Sequence, residues 1–164
     1  MIKRWILIGA ALASFAAAAQ HYESGDIHAM SPWSRALPPV SKNGATYVTL
    51  KNHADTVDRL VGASTPIADR VELHRHSMED GVMKMGKVDS VDLEPGEYVT
   101  LEPGGYHLML VGLKAPLKEN DQFELILEFE HAVPLEVMVT VHAVDSAGPD
   151  MTHHEMQHQH ESGE

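Results

Sequence analysis

An all-β sandwich with Greek-key connections is the fold class this sequence predicts, on three observations. Apolar and polar residues alternate with a period of two along most of the span from Ile27 to Val144, the spacing at which strand side chains share a face. Pro, Gly, Asn and Asp punctuate that span at short intervals. After the leader, no stretch keeps the helical period for the ~10 residues of an ordinary helix. Strands are therefore expected at 27–35, 44–53, 59–63, 70–78, 82–93, 98–101, 107–114, 122–130 and 135–144. Asp80-Gly81 separates the fourth from the fifth, Pro95-Gly96 the fifth from the sixth, and Pro103-Gly104-Gly105 the sixth from the seventh. Glu119-Asn120-Asp121 opens the eighth, where Phe123, Leu125, Leu127 and Phe129 alternate with Glu124, Ile126, Glu128 and Glu130. Leu135, Val137, Val139 and Val141 repeat the same period in the last.

Both ends of the chain differ in character from this span. Lys3 and Arg4, then the apolar run from Trp5 to Phe15, then Ala16 to Ala19, form the charged, apolar and small-residue regions of a secretory signal peptide. The apolar run is shorter than the ~20 residues a spanning helix needs, so 1–19 is expected to be cleaved, leaving no stable membrane insertion. Residues 20–145 form the predicted β domain. Past it, Ser146-Ala147-Gly148-Pro149 reads as a hinge, and 146–164 as a mobile tail with no apolar periodicity to bury.

Composition removes whole classes of function. The chain has 164 residues and a formal charge of -12, the wrong sign for nucleic acid as the main partner. It has no cysteine, which excludes disulfides, thiolate nucleophiles, zinc fingers, iron–sulfur clusters and blue-copper electron transfer. No Gly-x-Ser-x-Gly elbow occurs, the His-Glu-x-x-His spacing occurs only at His154 to His158 in the tail, and the chain is read as a binding protein rather than an enzyme. Against this background 12 histidines and 9 methionines stand out.

Two segments of the β span are the richest in His and Met. In 71–85 lie His74, His76, Met78, Met83 and Met85, and in 103–109 lie His107 and Met109. If Met78 pairs with Gly81, His74 stands opposite Met85 and His76 opposite Met83. If Asp80-Gly81 is itself the turn, His76 stands opposite Met85. Either register keeps the set on one face of a hairpin, and His107 and Met109 share a face of their own strand. Imidazole with thioether sulfur is a soft, neutral donor set, suited to Cu(I) and poor for zinc, magnesium or calcium. His76, Met78 and Met83 read as solvated strand residues, with a secondary shell or a transfer route as the alternative. Arg70, Arg75, Lys84 and Lys87 form a local positive patch around the segment.

The spacing His74, ten residues, Met85, twenty-one residues, His107-Leu108-Met109 resembles the signature of the periplasmic copper chaperones known as PCuAC. Glu72-Leu73-His74, Asp80-Gly81-Val82-Met83-Lys84-Met85 and Pro103-Gly104-Gly105-Tyr106 resemble the family's surrounding text, over roughly Ile27 to Val144. The family often has Met directly after the first His, where this chain has Arg75. The resemblance implies a cupredoxin-like sandwich holding Cu(I) through His74, Met85, His107 and Met109. It implies a periplasmic role in cytochrome c oxidase assembly, with subunit II and its dinuclear copper centre, or Sco-type assembly factors, as partners. Some relatives carry a His/Met-rich extension that binds Cu(II). Met151, His153, His154, Met156, His158 and His160 are the corresponding candidates here. A monomer is expected, with a metal-bridged dimer the other arrangement the tail permits. The competing function is a periplasmic copper-buffering or resistance protein that sequesters copper without delivering it.

Overall fold

The computed structural model describes residues 21–79 and 81–149, and every regular element among them is a strand. In chain order these are β1 (His21–Ser24), β2 (Ile27–Arg35), β3 (Asn43–Asn52), β4 (Asp58–Ser64), β5 (Ala68–Glu79), β6 (Val82–Lys87), β7 (Val91–Leu93), β8 (Tyr98–Leu101), β9 (Tyr106–Leu113), β10 (Gln122–Phe129) and β11 (Leu135–His142). Hydrogen bonds join them in the order β6-β5-β9-β3-β2-β11-β10-β4-β7, with β1 beside β2 and β8 beside β3. The strands pair antiparallel except where β11 runs parallel to β2, Val141 against Ser34. Inward residues from both halves of the ladder meet in one core, Leu73, Leu108 and Leu110 packing with Leu60, Leu125 and Val139. The fold is the all-β, cupredoxin-like one that the sequence predicts.

Two elements differ from expectation. The span 82–93 is two strands rather than one: β6 stays on β5 and is exposed throughout, whereas β7 buries Val91 and Leu93 and pairs with β4 at the far end of the ladder. Apolar residues recur across both, so periodicity does not mark the crossing. Strand β1 was not anticipated. Its His-Tyr-Glu-Ser sequence has a single apolar ring, and it folds back on β2 through Gly25 at φ 59. Within β2 the register shifts between Met30 and Trp33, where Ser31 takes φ 49 and Pro32 has no N–H to lose from the ladder.

Buried polar groups tie the loops to this frame. Asp58 accepts hydrogen bonds from the backbone N–H groups of Arg59, His131 and Ala132. Burial works against its charge, yet those three donors win and hold its carboxyl below the usual range. Asn52 donates to the carbonyls of Thr56 and Leu93 and accepts from the Ala54 N–H. Beyond β11, the Arg35 Nε donates to the Ser146 carbonyl at 2.8 Å. Gly148 then lies so close to Trp33 that a Cβ there would stand 2.8 Å from the indole, which only glycine avoids. The leader 1–19 and the tail residues Met151, His153, His154, Met156, His158 and His160 lie outside the described residues.

The site region sits at one end of the ladder, on β6, β5, β9 and β3. Strand alternation sends Leu73 and Leu108 into the core and turns their neighbours His74 and His107 to the opposite face.

Candidate metal centre

The hairpin register decides which donors meet. Glu79 pairs with Val82, with Gly81 at φ 77 in the turn, so His76 stands opposite Met85 and Met78 opposite Met83. This is the second of the two registers the sequence allows. On the other side of β5, His74 stands opposite His107 and Glu72 opposite Met109. Directly opposed side chains have Cβ atoms ~4.5–5.5 Å apart, so one sheet face gathers all four candidate ligands plus His76.

A cleft of about 290 Å³ opens beside this face, lined by Leu37, Tyr47, Pro103, Met85, His107 and Met109 among others. Three of the four predicted ligands border it. His74 does not, and His76 takes a place on its wall instead. The His76 ring stacks on His107 with centroids 4.9 Å apart, and the His74 ring lies 5.9 Å from His107. His76 therefore departs from the solvated strand residue expected, because the register sets it beside the buried His107 rather than in water.

Hydrogen bonding fixes which ring nitrogens are free. Glu72 Oε2 lies 3.0 Å from His74 Nε2, and a carboxylate only accepts, so Nε2 carries the proton. His74 Nδ1 is then the lone-pair nitrogen, and it is buried with no hydrogen-bond partner. In the same way His107 Nδ1 donates to the Gly105 carbonyl at 3.1 Å and leaves Nε2 as its lone-pair nitrogen. An imidazole pinned through one nitrogen to a carboxylate or carbonyl is the arrangement that orients metal-ligating histidines. The orphaned buried Nδ1 of His74 fits a metal ion, since a buried acceptor without a partner is otherwise costly.

Charge around the site is set by Glu72. Its hydrogen bond from Arg70, and then that from His74, lower its carboxyl to about 2. The stability this contributes is present above pH 4.5, the ordinary carboxyl value, and is lost as pH falls toward 2. Burial lowers the pKa of His107, against the Gly105 hydrogen bond, and His76 and His74 lower it further. Its ring is thus neutral, as a ligand must be, at any pH above its ordinary value of 6.5.

The donor chemistry is soft. Among the described residues no group of three or more His, Asp or Glu side chains is placed to hold a metal, and the register puts Met85 and Met109 on the same face as the imidazoles. Two imidazoles with two thioethers, neutral and without thiolate, favour Cu(I). A second cavity of about 310 Å³, lined by Ser24, Asp26, Thr56, Asp58 and Val133, offers no such set, its Asp58 carboxylate being taken by backbone donors.

The LpqE-like lipoprotein family model matches residues 27–141, which is most of the chain. The chain belongs to the LpqE-like family. Its fold is shared with PCuAC domains. The apo PCuAC domain of PmoF2 is 29% identical with a TM-score of 0.66, covering 79% of this chain and 99% of that one. The Cu(I) form of DR1885 from Deinococcus radiodurans is 32% identical with a TM-score of 0.54, covering 79% of this chain and 85% of its own. Protein RP573 of Rickettsia prowazekii is 33% identical over 108 residues, 63% of this chain and 60% of that protein. The chain spans about 60% of the length of the curated relatives it matches.

Sequence reasoning missed two participants in this LpqE-like site. Glu72 had a readable signal, since a carboxylate two residues before a histidine shares its face on a strand. The Gly105 carbonyl had none, because any residue carries a carbonyl and only the turn before β9 aims this one.

Proposed function

We propose that this chain is an exported copper chaperone whose cargo, Cu(I), is held by His74, Met85, His107 and Met109. The carrying observation is the locked pair of imidazoles: His74 and His107 are each tied through one nitrogen, with the other free beside two thioethers. The Cu(I) form of DR1885 supports the choice of ion, and the lipoprotein family supports export to the cell envelope, in the periplasm. The ligand set holds and releases an ion; it has no nucleophile or general base poised against a substrate, and we assign no catalytic step.

Delivery is assigned to cytochrome c oxidase assembly, to subunit II or a Sco-type factor. The positive residues Arg70, Arg75, Lys84 and Lys87 on β5 and β6 suit an acidic partner face in a chain otherwise of charge -12. Transfer of the bound ion to an isolated oxidase copper domain tests this reading, and failure to transfer would favour the buffering role.

Glu72→Ala removes the acceptor that fixes the His74 ring. Outer partners of metal-bound histidines are worth ~10–100-fold in affinity, and a loss of that size is expected in competitive titration against a chromophoric Cu(I) chelator. An unchanged affinity would show that His74 is not a ligand.

The tail residues Met151, His153, His154, Met156, His158 and His160 are proposed as a second, Cu(II) site. Pro149 and Pro103 line one pocket, and Pro103 also borders the candidate cleft. Because Arg35 and Trp33 hold Ser146 and Gly148, the clean truncation removes 150–164. It is expected to abolish Cu(II) uptake and leave Cu(I) binding intact. Loss of Cu(I) instead would place tail residues in the first site.

A further inference from the structure

The outer end of the β5–β6 hairpin carries methionines that the site above does not use. Met78 and Met83 stand opposite each other in the ladder, and they are 68% and 61% exposed. Neither fills the core. Large apolar side chains held this open, with Met85 at 47% on the same face, form a patch of the kind that marks a binding surface. Strand alternation puts His76 and Met85, the next rung inward, on the same face as Met78 and Met83. Successive rungs on one face lie ~6.6–6.8 Å apart, within reach of unbranched thioether side chains turning toward one ion.

His76 joins the two ends of this stripe. It stands two residues from Met78 on the outer side, and its ring stacks on His107 at 4.9 Å on the inner side. Its Nδ1 is buried with no hydrogen-bond partner, so the protein makes no use of that nitrogen. The carboxylate and carbonyl that lock His74 and His107 have no counterpart at this Nδ1. An untethered ring is the one free to turn between two sets of donors.

We propose that Met78, Met83 and His76 form a second, exposed Cu(I) site at which the ion is taken up before passing to the cleft. The assignment rests on the Cu(I) reading of the cleft for its destination, and on the hairpin register for its ligands. Two thioethers and one imidazole make a neutral three-coordinate set, which suits Cu(I) and holds it more weakly than the four donors of the first site. Passage is by ligand exchange with no change of oxidation state. His76 keeps the ion while Met85 replaces Met78 and Met83, then His74, His107 and Met109 replace His76.

Silver(I) tests this, since it is redox-silent and shares the preference for thioether sulfur. The purified chain, tail included, is labelled with ¹³C-methyl methionine and titrated with silver(I) while each methyl resonance is followed. The Met85 and Met109 methyls are expected to move with the first equivalent, and the Met78 and Met83 methyls together in a later step. The doubly substituted chain carrying Met78→Ile and Met83→Ile is expected to lose the later step and keep the first, and isoleucine suits exposed strand positions. His76→Asn is expected to push the later step to higher silver. Met78 and Met83 methyls that stay fixed in excess silver, or move independently, would overturn the hairpin site. If instead Met85 and Met109 stay fixed while Met78 and Met83 respond, the cleft reading fails, and the uptake role with it.

Discussion

Replacing His107 or Met109 by alanine lowers Cu(I) affinity by more than ~100-fold, beyond what loss of an outer partner alone produces, and leaves the β fold in place. The two residues face away from the core that Leu108 enters between them. His107 is buried at 4% exposure, yet what covers it is the cleft wall and the His76 ring rather than the inward leucines. Its removal is expected to cost the metal-free fold only about 1 kcal/mol, the usual size for a substitution outside the core. Competitive Cu(I) titration and thermal unfolding of the same samples separate the two effects. Parental affinity in either variant would remove that residue from the ligand set.

Leu108→Ala is expected to do the reverse. Leu108 is fully buried, pairs across the ladder with Leu73 and Thr46, and packs in the one core cluster. Truncating such a leucine costs ~2–5 kcal/mol, from lost transfer energy and the cavity left behind. For a domain of this size that is a fall in melting temperature of roughly 10 °C or more. Affinity of the folded fraction is expected to hold, because His107 and Met109 keep their places on the opposite face. Adjacent residues are thus expected to carry separable roles, stability at 108 and binding at 107 and 109. A Leu108→Ala chain that melts with the parent would mean that β9 is not anchored through this face.

Much of this was legible in the chain. The period-two alternation of Phe123 to Phe129 and Leu135 to Val141 reappears as β10 and β11, with those residues buried. Where the pattern was silent, the reading was incomplete. The break between β6 and β7 at residues 88–90 went unread because Met83, Met85, Val91 and Leu93 keep the same alternation on either side of it. The short β1 lies against β2 by backbone pairing, which composition does not report.

By itself the sequence determined the donor chemistry: no thiolate, abundant imidazole and thioether, and hence a soft, neutral site on a β frame. It also determined that His74, His76, Met83 and Met85 share a face, because that follows from strand geometry in either hairpin register. Tertiary structure decided the rest. The pairing of Glu79 with Val82 chose between the registers and set His76 against Met85. The pairing of β5 with β9 brought His107 opposite His74 from 33 residues away in number, and Glu72 and Gly105 then fixed which ring nitrogens are free. Alternation is a property of each strand alone, whereas register and hydrogen-bond partners belong to pairs of segments, and only the folded chain brings those segments together.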